Sequence, residues 1–272
     1  MRKLFATILA VSFIFTTASI VNAGSIGSPE TQGKGKLAVT SDNSFIFGRY
    51  FKFIKASNID PYPEENLEGA DIERGYQVML KTSYGLLDNL DVYVKIGWAD
   101  YKIDSIFQGS RDTGPYSFPF VMNTDSDFAY GLGVKGNYEF SPSWLIGYDL
   151  QYLRSKHDMY LTKKRTTEPT GLFKSTVMQE WHVAVSLAKK IKNFIPYVGV
   201  RYSDARFETK GIDDQLVWGA DMAWIYNIKY KAKDNVGIFL GTDYNLTKNI
   251  SINVEGRFID ETAMSLGATY KF

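Results

Sequence analysis

The sequence predicts an all-β protein, a closed antiparallel β-barrel that crosses a membrane, and three observations predict it. First, most of the chain after residue 35 alternates apolar and polar residues, which is the period of two of a β-strand. Second, the connections between the alternating runs are in turn short and long. Third, the mean hydropathy is only -0.20 although 44% of the residues are hydrophobic. A barrel has this composition because every second strand residue faces a polar lumen.

The first 23 residues have the pattern of a secretory signal peptide. Arg2 and Lys3 precede an apolar run that ends at Ile20, and Val21, Asn22 and Ala23 form a small-residue cleavage site. We therefore expect cleavage near Ala23, which leaves 24–272 as one barrel domain. An uncleaved membrane anchor is the alternative, although the apolar run is short for a membrane span. A Gly/Ser/Pro-rich lead covers Gly24–Gly35.

The composition excludes several classes of function. The chain has no cysteine, so the mature protein has neither disulfides nor thiol chemistry. A formal net charge of +1 provides no basic face for nucleic acid. No HExxH motif, phosphate-binding glycine loop or Cys/His cluster is present, and we expect neither a metal nor another cofactor.

The first predicted strand, Lys36–Phe53, is the least regular, because Ser41–Ser44 interrupt it and would form a bulge or a turn. The next runs alternate cleanly, as Val92, Val94 and Ile96 do against polar neighbours. These runs cover Ile72–Tyr84, Leu90–Lys102, Asp127–Phe140, Trp144–Ser155, Val177–Lys189, Tyr197–Ser203 and Val236–Leu246.

A closing hairpin completes the count of about ten strands. Its two runs, Ile250–Phe258 and Ala263–Phe272, each place apolar residues on one face and polar or small residues on the other. The segment Thr209–Asp234 is ambiguous and would form an extended hairpin, a plugging segment or another pair of strands. If Leu216–Tyr230 pairs within the barrel, the count becomes twelve.

The connections indicate how the barrel is oriented. Short turns are predicted near 86–89, 141–143, 190–193 and 247–249, and long loops near 58–68, 103–125 and 158–174. Membrane barrels have short periplasmic turns and longer external loops. The apolar faces also carry two aromatic belts. Tyr84, Phe140, Trp144, Tyr244 and Phe272 form the periplasmic belt, and Trp98, Phe128, Tyr152, Trp181 and Phe258 form the external one.

The closing residues Tyr270, Lys271 and Phe272 resemble the end of Gram-negative outer-membrane β-barrel proteins, such as the small porin-like and outer-membrane protein A-like barrels. The resemblance implies an outer-membrane location, with outer-membrane lipid and lipopolysaccharide as neighbours. It also implies that the barrel-assembly machinery reads the last strand, and we assign that role to Ala268, Tyr270 and Phe272.

The predicted lumen contains charges of both signs, together with one histidine. A barrel of ten strands leaves little free space. The charges would therefore form a network that fills and rigidifies the interior, or else line a narrow and weakly selective pore. The predicted lumen residues are Lys81, Asp91, Lys95, Lys135, Glu139, Asp149, Glu180, His182, Arg201, Asp243, Glu255 and Arg257.

His157 and Asp158 at the external end of the fifth strand are similar to the histidine-aspartate pair of the omptin proteases, which are ten-stranded barrels. Neighbouring strand residues face opposite sides, so the two would cooperate only in a loop. A lipid A deacylase or acyltransferase would need a serine near this histidine, and no serine is singled out.

The sequence therefore favours a non-enzymatic barrel with a structural or narrow-channel role. Two alternatives remain at this stage. One is a surface adhesion or ligand-binding barrel, whose loop ligand the sequence does not identify, and the other is a rim hydrolase of omptin type.

Overall fold

The computed structural model describes residues 25–58, 66–111, 114–163, 169–213 and 224–272. The predicted signal peptide lies outside these residues. The described chain forms twelve antiparallel strands. These are β1 (Leu37–Asn58), β2 (Asn66–Leu87), β3 (Leu90–Arg111), β4 (Gly114–Thr124), β5 (Asp127–Ser141), β6 (Trp144–Lys163), β7 (Pro169–Lys189), β8 (Phe194–Asp213), β9 (Trp224–Ala232), β10 (Val236–Asn245), β11 (Ile250–Phe258) and β12 (Thr262–Lys271).

Ten of the twelve strands close a ring, which confirms the predicted barrel. The ring runs in the order β1, β2, β3, β5, β6, β7, β8, β10, β11 and β12, and β12 pairs with β1 to close it. Closure pairs the backbone groups of every strand on both sides, as a wall surrounded by lipid requires.

Beyond this ring the wall continues as a second, narrower one of eight strands. In this ring β4 lies between β3 and β6 in the place of β5. Strand β9 pairs with β8 on one side and with β1 on the other, in the place of β10, β11 and β12. The hairpin of β11 and β12 does not reach this level, because it turns back at Ile259–Glu261. We call the ten-stranded part the lower tier and the eight-stranded part the upper tier.

The lower tier has the surface expected of a lipid-facing wall. Val94, Ile96, Leu132 and Val200 are each at least half exposed on its outer face. The external aromatic belt forms as predicted, since Trp98 is paired with Phe128, and Tyr152 with Trp181. Exposed Tyr84, Phe140, Tyr244 and Phe272 lie at the periplasmic end.

No helix in the described ranges is long and apolar enough to cross a membrane.

Two of the predicted loops are wrong, because the strands continue through them. The region 103–125 is mostly the hairpin of β3 and β4, and 158–174 contains the ends of β6 and β7. In the upper tier the alternation has the opposite sense, since Tyr101, Ile103 and Met159 face inward and are buried. Outside the membrane the outer face of a strand meets water and its inner face packs a core. These strand ends therefore lack the apolar outer face by which the lipid-facing strands were predicted.

The interruption predicted in the first strand is also absent, because β1 runs without a turn from Leu37 to Asn58. Residues 41–44 keep regular register with both neighbouring strands, and Asp42 and Ser44 face the interior. The ambiguous segment 209–234 is an extended hairpin in its described part, formed by the end of β8 and by β9.

Two apolar clusters fill different levels of the interior. The larger one lies in the upper tier and includes Phe51, Tyr101, Met159, Phe207 and Tyr230. An interior of eight strands is just filled by its own side chains. The smaller cluster lies in the lower tier and contains Ile26, Leu145, Ala184, Ala188, Ile195, Tyr197 and Phe239.

We expect an engineered disulfide to verify the closure of the upper tier. Lys52 of β1 and Lys231 of β9 are direct cross-strand partners, and the Cβ atoms of such pairs lie about 4.5–5.5 Å apart. In this cysteine-free chain, the double variant Lys52→Cys/Lys231→Cys should oxidise within one molecule and run faster on a denaturing gel. The control Lys52→Cys/Arg154→Cys places the thiols on opposite sides of the tier and should stay reduced. No disulfide in the first variant would contradict the pairing of β9 with β1.

Candidate functional site

The candidate site is the interior of the lower tier, which is lined by polar and charged side chains, and residues 25–35 enter it. We call these residues the inner segment. The Glu255 carboxylate accepts hydrogen bonds from the backbone N–H groups of Ile26, at 3.1 Å, and Gly27, at 2.8 Å. In return, Lys95 and Lys135 donate to the carbonyl oxygens of Ser25, at 3.1 Å, and Ser28, at 2.7 Å. The lumen charges thus bind the backbone of the chain itself.

The wall of the barrel is shaped to receive this segment. Gly147 faces Pro29, and a Cβ on that glycine would overlap the proline ring. Gly27 has a positive φ of 74°, a conformation that glycine adopts without strain. Near the rim, Gln32 N–H donates to both carboxylate oxygens of Asp91, at 3.0 and 3.1 Å. The inner segment therefore follows a defined path through the periplasmic half of the lumen.

We call the charged and polar side chains around the inner segment the lower charge cluster: Asp42, Lys81, Tyr93, Lys95, Asp149, His182 and Asp243. Lys95 pairs with Asp42 at 2.6 Å, and neither side chain is exposed. Tyr93 donates from its hydroxyl to Asp149 at 2.9 Å, and its ring lies 4.2 Å from the Lys81 ammonium.

Two further predicted lumen residues extend this cluster. His182 Nε2 lies 3.2 Å from Asp149. Asp243 accepts hydrogen bonds from Asn253 at 2.5 Å and from the hydroxyl of Ser28.

Above this cluster lies the arginine layer, which consists of Arg49, Arg201 and Arg257 with Glu180, Glu255, Asp260 and Glu261. Glu261 lies at its centre, paired with Arg201 at 2.6 Å, Arg257 at 2.7 Å and Arg49 at 3.2 Å. Arg201 also pairs with Asp260 at 2.6 Å, Arg49 with Glu180 at 2.9 Å, and Arg257 with Glu255 at 3.0 Å. All three arginines are at most 3% exposed, whereas the Glu180 side chain is 18% exposed at the edge of the layer.

The turn between β11 and β12 brings two of these carboxylates into the interior. Ile259 at the turn has a φ of 84° and is exposed, a strained conformation for a β-branched residue. The turn bends inward at the next two residues, and the Asp260 carboxylate packs on Gly237, where a Cβ would overlap it. The arginine layer therefore lies at the level where the barrel narrows from ten strands to eight.

All but one of the predicted lumen residues face the interior. The exception is Glu139, whose side chain is 49% exposed and pairs at 3.4 Å with Lys190 at the periplasmic rim. The register shifts between Glu139 and Ser141, so the alternation that predicted an inward side chain ends there.

Within the described ranges, four interior charges were not predicted from the sequence: Asp42, Arg49, Asp260 and Glu261. Asp42 lies in the stretch that was predicted to interrupt the first strand. Arg49 follows a bulge between Ile46 and Gly48, which shifts the phase of the alternation. Asp260 and Glu261 lie in a turn, where the sequence has no periodic signal.

In the upper tier, His157 and Asp158 face opposite sides of β6, as expected for adjacent strand residues, and do not form a pair of omptin type. His157 is 1% exposed and faces the interior, while Asp158 lies on the outer face. The histidine instead contacts the hydroxyl of Ser155, with 2.6 Å between Nε2 and Oγ. Ser155 is 3% exposed, and both residues pack beside the upper apolar cluster. A serine thus lies near the histidine, and both side chains are buried.

Burial lowers the pKa of His157 below its usual value, although the carbonyl of Asp125 and the carboxylates of Asp127 and Asp100 act in the opposite direction. The other ring nitrogen, Nδ1, lies 3.1 Å from that Asp125 carbonyl. The surroundings therefore favour a neutral ring that donates one hydrogen bond.

No family model and no curated protein sequence matches the chain. Solved structures do match its fold. The outer-membrane protease OmpT from Escherichia coli aligns with a TM-score of 0.51 and 11% identity over 90% of this chain and 100% of that chain. The chain has the fold of an outer-membrane β-barrel.

Two further solved structures align with lower TM-scores. The translocator domain of the autotransporter NalP from Neisseria meningitidis has a TM-score of 0.44 and 11% identity, over 88% of this chain and 89% of that one. OprG from Pseudomonas aeruginosa has a TM-score of 0.42 and 10% identity, over 89% and 99%.

The three residues predicted to signal assembly lie on the outer face of the closing strand. Phe272 N–H donates to the Leu37 carbonyl at 2.9 Å, which ties the chain end to β1. The rings of Tyr270 and Phe272 meet edge to face with centroids 4.9 Å apart. Ala268 lies one lipid-facing position further along the strand.

Removing the central carboxylate should destabilise the barrel strongly. Glu261→Gln keeps the shape of the side chain but leaves three buried guanidinium groups with one anion fewer, which should cost about 3–5 kcal/mol in the free energy of unfolding. The control Glu208→Gln alters an ion pair on the outer wall, where Glu208 is 30% exposed, and should cost less than about 1 kcal/mol. The measurement is the urea midpoint in lipid vesicles. Equal effects of the two substitutions would contradict a structural role of the layer.

The buried histidine should make stability depend on pH. Below its usual pKa of 6.5, the unfolded chain binds a proton that folded His157 binds less well, so stability should fall as the pH decreases from 7.5 to 5.5. The contribution is at most about 1.4 kcal/mol per pH unit. His157→Gln should flatten the pH dependence of the urea midpoint, while Lys156→Gln on the outer face should leave it unchanged. The idea fails if the His157 variant retains the wild-type slope.

Proposed function

We propose that this chain is a closed outer-membrane barrel with a structural role, which supports its upper tier at the cell surface and conducts no ions in the arrangement described. One observation carries the proposal: three fillings follow one another along the interior. These are the inner segment with the lower charge cluster, the arginine layer, and the upper apolar cluster. An ion would have to displace all three in turn.

The charges support a structural role because they are bound to one another and to the chain. In an open pore, charged side chains would be hydrated and would face moving ions. Here Lys95, Arg257 and Glu255 have exposed fractions of 0%, and each has a partner of opposite charge. A network of this kind rigidifies an interior when its members are satisfied.

A non-catalytic role is part of the same proposal. The histidine and aspartate that are similar to the omptin pair lie on opposite faces of β6, so one cannot orient the other. Ser155 and His157 are buried, and the hydrogen bond between them joins two residues of the same strand.

The outer surface supports contacts with membrane components. Arg154 and Lys156 are exposed on β6 directly above Tyr152 of the external belt, where they would meet the phosphate groups of lipopolysaccharide or other outer-membrane lipid. The exposed terminal strand with Phe272 supports recognition by the barrel-assembly machinery.

A narrow channel is the second candidate, and the inner segment favours it. This segment is held by hydrogen bonds and ion contacts to side chains of the wall and is not a strand of the sheet. Its release would open the periplasmic half of the lumen, but conduction would also require the arginine layer to rearrange.

Conductance in a planar bilayer distinguishes the two candidates. A closed structural barrel should be silent as the wild type and also when residues 25–35 are deleted, because the arginine layer remains. Folding of each sample is checked by the shift in gel mobility between unheated and boiled protein. Steady unitary steps that scale with salt in the wild type would overturn the structural proposal.

A disulfide lock provides the control. Ser28 and Asp243 are in contact, so Ser28→Cys/Asp243→Cys should hold the inner segment in place when oxidised. If release of the segment opens a channel, this variant conducts only after reduction. Equal silence in both states supports the closed barrel.

A further inference from the structure

In the described part of the lipid-facing wall, β1 has a polar interruption near its middle. Along β1 the outward positions are Leu37, Val39, Ser41, Asn43, Phe45 and Phe47, and the two polar residues lie at the centre of this row. Their cross-strand neighbours Leu80, Val78, Leu266 and Ala268 are all apolar. An amide and a hydroxyl therefore face the hydrocarbon core of the bilayer, where polar groups have no solvent partner.

The amide of Asn43 is only half satisfied within its own barrel. Its Nδ2 group donates to the hydroxyl of Ser41 at 2.9 Å and approaches the carbonyl of Leu266 at 3.4 Å. The amide oxygen accepts no hydrogen bond from the described residues. An unpaired amide oxygen in a medium without donors is unfavourable, so the arrangement calls for a donor from outside the chain.

The surface around this amide allows another protein to approach closely. Ser41 of β1 and Ala268 of β12 are small outward-facing residues that pair directly with each other, and they lie between the larger side chains of Leu80 and Ile252. In membranes, contacts of this kind are made where small residues let backbones come together and polar side chains bond across the interface. We call Ser41, Asn43 and Ala268 the seam patch.

We propose that the seam patch is the interface of a homodimer, in which Asn43 of each copy donates to and accepts from Asn43 of the other. Two copies in one membrane have the same orientation and are related by an axis along the membrane normal. Each residue therefore meets the partner copy at equal depth. An amide carries both a donor and an acceptor, so two facing copies satisfy each other, as an isologous interface requires.

A second copy fits this site better than lipid, because an acyl chain offers no donor to the amide oxygen. It also fits better than a transmembrane helix of another protein, which would need a donor at this depth. The inference is independent of whether the lumen conducts, since it concerns the outer wall alone.

Single-cysteine cross-linking tests the interface directly, because the chain contains no cysteine. In vesicles at a low protein-to-lipid ratio, Asn43→Cys and Ser41→Cys should form disulfide-linked dimers on oxidation. The control Val185→Cys lies on the lipid face of β7, across the ten-stranded ring from β1, and is 48% exposed. It should stay monomeric. Equal cross-linking at all three positions would indicate random collision and overturn the proposal.

A second measurement covers the case in which the cysteine variants alter assembly. Asn43→Leu removes the amide from lipid and should leave the heat-dependent gel mobility intact. It should weaken dimerisation about tenfold, which corresponds to about 1.4 kcal/mol, as measured by sedimentation equilibrium in detergent. A wild type that is monomeric in both detergent and vesicles would overturn the proposal, and so would a variant that dimerises as tightly as the wild type.

Discussion

The shape of the molecule depends on the buried ion pairs of Glu261 with Arg49, Arg201 and Arg257. They hold the turn between β11 and β12 inside the barrel, and above this turn β9 closes directly on β1. A ten-stranded wall thereby becomes an eight-stranded one. Each of these charges alone would be too costly to bury. Together they replace the water that an open lumen would contain.

Membrane and water impose opposite patterns on the same strands. On β6 the outward residues up to Tyr152 are mostly apolar and exposed, whereas Arg154, Lys156 and Asp158 beyond it are polar. The inward residues change in the reverse sense, from polar at Asp149 and Gln151 to apolar at Leu153 and Met159. A single strand of twenty residues therefore contains a membrane segment and a water-exposed segment with its own core. The change of solvent explains both the aromatic belt at Tyr152 and the apolar cluster above it.

This molecule differs from an open porin in its filled interior, whereas the residue pattern of its strands is the same. Charges alternate along the inner faces just as they would in a channel, but the inner segment and the inward turn provide them with partners. Lys95 and Glu255 illustrate this, because each bonds both to an opposite charge and to the backbone of residues 25–27. The outer wall then remains as the surface where lipid and other proteins are met, and Asn43 is its exceptional residue.

The sequence by itself determined the barrel, the ten-stranded ring, the short turns and the inward side of most lumen charges, because alternation of residue types follows directly from the geometry of a strand. It also marked the two aromatic belts. Only the tertiary structure decided what lies inside. Asp260 and Glu261 reach the arginines through a turn, Arg49 through a bulge, and the inner segment through hydrogen bonds of its backbone. None of these has a period in the sequence, since each depends on contacts between residues that are far apart in the chain.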